Sequence, residues 1–367
     1  MKVFHCQSCG QMVYFANTRC ERCGHRLGYL PDLAVLSALA PLEGDRWRPL
    51  AAPTRPSRFC ANAAHDACNW LIPAESPGAF CQACRLNRTI PDLGPWENRL
   101  RWQRLETAKH RLVYGLLRLG LPLVSRFDDP ETGLAFDFLA NSDRTDSDRI
   151  AREHFQIVTG HAAGLITIDI AEADDAERER HRRDMAESYR TLLGHFRHEV
   201  GHYYWDRLVR SSPWIAAFRD LFGDERRDYQ TSLSTYYAQG PPAGWQQHHV
   251  SGYASAHPWE DFAETWAHYL HILDTLETAC EFGLRVRPRG ETDPALIVDV
   301  DFDPYGQQDF NVLIGTWLPL TYGVNSLNHS MGLPDLYPFV LAPTVMGKLR
   351  FVHGLVFPLS SALARPA

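Results

Sequence analysis

Between Leu192 and Trp205 the chain runs LLGHFRHEVGHYYW, with three histidines and a glutamate inside the eight residues His195 to His202. His198 and His202 stand four apart, so on a helix both imidazoles leave one face, within about 40° of each other. Zinc takes neutral imidazole nitrogens at about 2 Å, and a glutamate directly after the first histidine sits where it can take a proton from water at the metal. The chemistry such a pattern serves is hydrolysis. It still needs a third protein ligand, a position left for water, and a donor for the oxyanion. His195 shares the ligand face one turn earlier; its place is beside the ligands or at the surface, not among them.

Eight of the nine cysteines fall in two clusters. Cys6-x-x-Cys9 and Cys20-x-x-Cys23 each run into glycine, Gly10 and Gly24, and two such knuckles make a closed tetrahedral site of four thiolates. Glycine supplies the positive φ of the turn. Cys60, Cys68, Cys81 and Cys84 are the favoured set for a second site. Its first half is stretched by seven intervening residues, and His65 inside that loop is an alternative ligand. Disulfides are the competing reading. The first ten residues lack the apolar core of a secretory signal, so a cytoplasmic chain and structural zinc are expected. Cys280 stands alone in an apolar context and is read as a small buried residue.

The 367 residues suffice for a large core and more than one domain. The formal charge is −7, with +3 on residues 1–94 and −10 on the rest, which speaks against a general nucleic-acid binder. No apolar run is long enough to span a membrane. The expected fold class is α+β: a zinc-ribbon module with two four-cysteine sites over 1–94, then a mostly helical domain with a small edge-strand sheet over 95–367.

The positioning elements follow from periodicity. Glu97–Leu119 is an amphipathic helix. GLITIDI, Gly164–Ile170, alternates as a half-buried strand that could bind an extended peptide by strand addition. A helix over about 183–209 buries the stripe Met185, Tyr189, Leu192, Phe196, Val200 and Tyr203, leaving His198 and His202 on roughly the opposite side. A short helix near 215 and a long loop lead to a second helix at about 259–279. It offers Glu260, Asp261 and Glu264, with His268 and His271 beyond. Asp206 is either beside the ligands or at the surface. The Pro- and Gly-rich tail, 290–367, is expected to form short helices and loops packed on this domain.

A strand, an HExxH helix and a second helix bearing glutamate resemble the gluzincin group of zincin metallopeptidases. Glu260-Asp261-Phe262-Ala263-Glu264 matches the Glu-x-Phe-Ala-Glu of lethal-factor-like members, whose catalytic tyrosine lies seven residues before the ligand glutamate, the offset of Tyr253. Over its full length the chain is similar to bacterial zinc-binding metallopeptidases with an N-terminal ribbon, on the four-cysteine ribbon, GLITI, HFRHEVGHYYW and HPWEDFAETWAHYLHI. The 57 residues between His202 and Glu260 are long for the group and imply an inserted loop.

The resemblance implies one catalytic and two structural zinc ions, with His198, His202 and Glu260 as catalytic ligands. It makes Glu199 the general base, Glu264 an acid orienting a ligand histidine, and Tyr253 the oxyanion donor, with His257 a weaker candidate. The partner would be a peptide or protein substrate, and the ribbons could recognise protein. The alternative is a ribbon protein that binds protein or nucleic acid, with a dormant zincin behind it.

Overall fold

Strands β1 (Val3–His5) and β2 (Met12–Tyr14) pair antiparallel, and the turn between them carries Cys6 and Cys9. Gly10 closes that knuckle, its N–H donating to the Cys6 carbonyl at 2.8 Å with φ at +73°. Gly24 does the same for Cys20 at 2.8 Å and +75°. Any side chain would be strained there, so the glycines serve the turns as expected. The structure is a computed structural model that describes residues 2–140, 159–175, 178, 191–290 and 293–363, with side chains to 357.

Strands β3 (Arg26–Leu30), β4 (Val35–Pro41), β5 (Arg46–Pro49), β6 (Ser57–Phe59) and β7 (Leu71–Pro73) form an antiparallel sheet in chain order. A bridge from Tyr29 to Trp70 brings the first strand back to the last. Gly28 permits this closure, because a Cβ there would lie 2.7 Å from the Leu71 side chain. Strand β8 (Asn87–Thr89) and helix α1 (Trp96–Arg118) follow. Phe15 and Tyr29 of the ribbon meet Tyr114 of α1, with Phe15 and Tyr114 ring centres 5.3 Å apart, Trp70 meets His110 on the same helix, and one apolar core runs on from there into the rest of the chain.

The second sheet has the order β10-β11-β9-β8, from β9 (Ala135–Leu139), β10 (Gly160–Ala162) and β11 (Leu165–Asp169). Here the expectation for Gly164–Ile170 is corrected in part. Ile166, Ile168 and Ile170 are buried and the alternation holds. Yet β11 pairs with β10 on one side and β9 on the other, so its backbone groups are spent in ladders and no substrate strand can add to it there. The outer strands of the sheet are β10 and β8.

Helix α2 (Leu192–Leu208) carries the histidines. Its N-cap is Thr191, whose backbone is extended and whose Oγ1 accepts from the Gly194 N–H at 2.9 Å; the part of the expected helix over 183–190 lies outside the described residues. Met185 and Tyr189 of the expected stripe lie outside the described residues. Phe196, Val200 and Tyr203 are buried as expected, each contributing roughly 1.5–3 kcal/mol by leaving water.

The inserted loop holds two helices, α3 (Ile215–Phe222) and α4 (Tyr229–Gln239), the latter capped by Asp228. Helix α5 (Pro258–Glu281) then packs on α2. A short hairpin, β12 (Arg285–Val286) and β13 (Val298–Asp299), leads to α6 (Phe310–Ser330) and α7 (Pro343–Leu363). The tail is therefore not mainly short helices and loops. Leu313, Trp317 and Leu320 of α6, and Val345, Leu349 and Val352 of α7, are buried, and this packing outweighs the local cost of Pro319. Among the described residues no helix is long and apolar enough to cross a membrane.

Candidate metal centre and active site

Helices α2 and α5 touch at Gly201. A Cβ at this position would lie 3.0 Å from Ala263 Cα and 3.2 Å from Trp266 Cβ, so glycine is what lets the two backbones close. That contact sets the distance between the histidines of α2 and the acids of α5. His198 Nε2 lies 3.0 Å from Glu260 Oε2, His202 Nε2 lies 3.5 Å from Glu260 Oε1, and the two Nε2 atoms are 3.2 Å apart. Bonds of about 2.0–2.1 Å to a tetrahedral zinc would separate the donors by about 3.3–3.4 Å. Glu260 turns a different oxygen to each nitrogen, the separations lie near the spacing zinc needs, and all three side chains are buried.

Glu264, one turn beyond Glu260, accepts from His198 Nδ1 at 2.7 Å and from Ser251 Oγ at 2.6 Å. This fixes the tautomer of His198 with its Nε2 lone pair toward the donor triangle. Burial disfavours charge here, but Glu260 and Glu264 outweigh it and raise the His198 pKa well above its usual value. Glu260 is likewise held far below the usual carboxylate range by His202 and His198 despite burial.

Glu199 is buried too. Its Oε1 faces His195 Nε2 at 3.2 Å, while its Oε2 has no hydrogen-bond partner among the described residues. Burial would raise its pKa, but His195 and the ligand histidines hold it below the ordinary value, so the carboxylate is ionised. His195 in turn places Nδ1 2.5 Å from Glu172 Oε2, and Thr159 Oγ1 donates to Glu172 Oε1 at 2.6 Å. His195 is thus a tether between the end of β11 and Glu199, outside the donor triangle.

Tyr253 lies in a short turn, its ring centre 5.9 Å from that of His198. It lines a cavity of about 580 Å³ with His195, His198, Glu199, Tyr236 and Phe339. His257 does not share its role: Nε2 donates to the Arg227 carbonyl at 3.1 Å and Nδ1 caps α5 by accepting from Trp259 N at 3.1 Å. Asp261 is committed to Lys348 of α7, with Nζ 2.5 Å from Oδ2. Asp206 pairs with Arg210 at 3.0 Å. His268 accepts or donates to Tyr337 at 2.8 Å, and His271 pairs with Arg197. Of the acids and histidines open as third ligand, Glu260 alone joins the histidine pair in the donor cluster.

Two neighbours have no counterpart in the sequence reasoning. Tyr229 OH donates to Glu260 Oε1 at 2.7 Å, orienting the carboxylate. His161 of β10 stacks on His202 with ring centres 6.0 Å apart, and burial brings its pKa down to about 4. Tyr229 sits inside the insertion, where no motif marks it.

The cysteines gather as expected. Cys6 and Cys23 sulfurs are 3.6 Å apart, as are Cys9 and Cys20, and Cys68 and Cys81 are 3.7 Å apart. These are close to the edge of about 3.8 Å expected for four thiolates on zinc, and too long for disulfide bonds. All nine cysteines are free. His65 is outside both clusters, its ring 6.0 Å from Trp102.

A ribbon of paired cysteine knuckles ahead of a buried histidine–glutamate donor cluster on two packed helices is the arrangement of a zinc-binding protein. Residues 98–355 match the family described as "Putative zinc-binding metallo-peptidase", and the chain belongs to it; residues 3–95 match a zinc-ribbon domain family. Similar proteins include Mb2598c of Mycobacterium bovis and Rv2568c and MT2644 of Mycobacterium tuberculosis strains. Each is 42% identical over 357 residues, covering 97% of this chain and 95% of the relative, and each is described as uncharacterized. No solved structure matches the chain.

Proposed function

We propose that the chain is a gluzincin-like peptidase that hydrolyses peptide or isopeptide bonds with one zinc held by His198, His202 and Glu260. The observation that carries this is the buried cluster of His198, His202 and Glu260, with donor separations of 3.0 to 3.5 Å, together with the buried Oε2 of Glu199, which has no hydrogen-bond partner among the described residues. Zinc bound there supplies a Lewis acid that lowers the pKa of water toward about 7 and polarises the scissile carbonyl. Glu199 takes the proton of the attacking water and returns it to the leaving amine. Tyr253 donates a hydrogen bond to the oxygen that gains charge as the carbonyl is attacked. An extended substrate would lie along β10, the outer strand that packs against α2 and that has no second partner strand among the described residues.

The test is Glu199→Gln in the full chain, with zinc content and cleavage of a peptide library both measured. Zinc stays bound and cleavage is lost. Equal cleavage by the variant and the parent chain would overturn the reading in favour of a dormant module.

A further inference from the structure

A tetrahedral zinc takes four donors, and the second cysteine centre has two more groups beside its four sulfurs, both on α1. Glu106 Oε2 reaches Cys84 Sγ alone, at 3.7 Å, and its Oε1 is taken by Lys109 and Asn87. His110, on α1, places Nε2 3.2 Å from Cys68 Sγ, 3.6 Å from Cys84 Sγ and 4.0 Å from Cys81 Sγ. A nitrogen and a sulfur on one tetrahedral zinc are separated by about 3.6 Å, which these distances bracket.

The other face of the ring fixes its tautomer. His110 Nδ1 lies 2.6 Å from the Glu106 carbonyl, an atom that can only accept, so Nδ1 carries the proton and Nε2 can present a lone pair. A ligand histidine ordinarily has its second nitrogen engaged in this way. Nε2 also caps a face of three sulfurs, whereas an N–H donor would be aimed along one N–H···S line.

Charge points in the same direction. Four thiolates on zinc carry −2, and this centre is buried on all sides, beside a Glu106–Lys109 pair that is itself fully buried. Exchanging one thiolate for a neutral imidazole removes a charge from that dry surrounding. The first centre has no such need, because Cys9 and Cys23 are partly exposed. Cys60 is the one cysteine of the four that His110 Nε2 does not contact, and its sulfur, like those of Cys68 and Cys81, accepts a backbone N–H, here from Cys81 at 3.4 Å.

We propose that the second zinc is held by Cys68, Cys81, Cys84 and His110, with Cys60 outside its coordination sphere. The metal then bonds the ribbon directly to α1, and α1 packs on the helix that bears His198 and His202. It fastens the cysteine-rich module to the helical domain as well as folding it. This holds whether or not the histidine–glutamate site is catalytic.

The test is cadmium-113 NMR of the full chain, loaded with that isotope and labelled with nitrogen-15 in histidine. Thiolate-rich centres resonate well apart from a nitrogen–oxygen site. One of the two thiolate-rich signals should couple to a single imidazole nitrogen and the other to none, and His110→Ala should abolish the coupling. Two thiolate-rich signals without coupling to any histidine in the unsubstituted chain would overturn the proposal, and no variant has to fold for that result to count.

Discussion

Glu264 Oε1 lies 2.7 Å from His198 Nδ1, one helical turn along α5 from Glu260, so on the proposed reading one helix supplies a zinc ligand and also aims the ligand facing it. Removing such a partner typically weakens metal binding by about 10- to 100-fold. Glu264→Ala should therefore bind the catalytic zinc that much more weakly in a chelator competition, with the two cysteine centres unaffected. Unchanged affinity would mean that His198 is held by packing alone.

His195 links Glu172 to Glu199 through both ring nitrogens. His195→Ala leaves the three ligands in place but frees the base to rotate. Misplacing a reacting group by about 1 Å costs on the order of 10²-fold in rate. The expected result is a loss of that order in kcat with zinc content unchanged. Loss of zinc along with activity would instead make His195 part of the metal site.

Gly201→Ala tests the helix crossing. Its new methyl would press on Ala263 Cα at 3.0 Å, a backbone atom with no room to give. Overpacking of this kind costs about 1–3 kcal/mol. A lowered Tm and weaker catalytic zinc binding should appear together, and a variant with neither change would show that the helices can part without consequence.

Acid sensitivity should come in part from His268. Burial brings its pKa down to about 4 from 6.5, against the opposing pull of Glu264. Between those values the unfolded chain holds the proton and the folded one does not. The contribution is therefore complete above pH 6.5 and shrinks as pH falls toward 4. It amounts to about 3 kcal/mol for a shift of this size. Urea unfolding at pH 7 and pH 5 should show a smaller difference for His268→Gln than for the parent chain; an equal difference would remove His268 as the cause.

The parts of the site legible in the sequence are those whose chemistry is local. His198 and His202 come together because a helix brings residues four apart onto one face, and Glu260 and Glu264 follow the same rule on α5. The cysteine knuckles are as local, each closed by its own glycine. Tyr229, Glu172 and His110 act across 31, 23 and 42 residues, on Glu260, His195 and Cys68, and no spacing rule marks them. GLITIDI shows its alternation, but whether a strand is an edge depends on what pairs beside it, and β10 is too short to announce itself. In the tail, glycine and proline suggested loops, while the buried faces of α6 and α7 decided for helices.

Zinc content is the most direct measure of the central claim. The full chain should hold about three zinc ions, and His198→Ala should hold about two, because no cysteine shares the histidine–glutamate cluster. Two zinc ions in the parent chain, unchanged by the substitution, would contradict a metal at His198, His202 and Glu260.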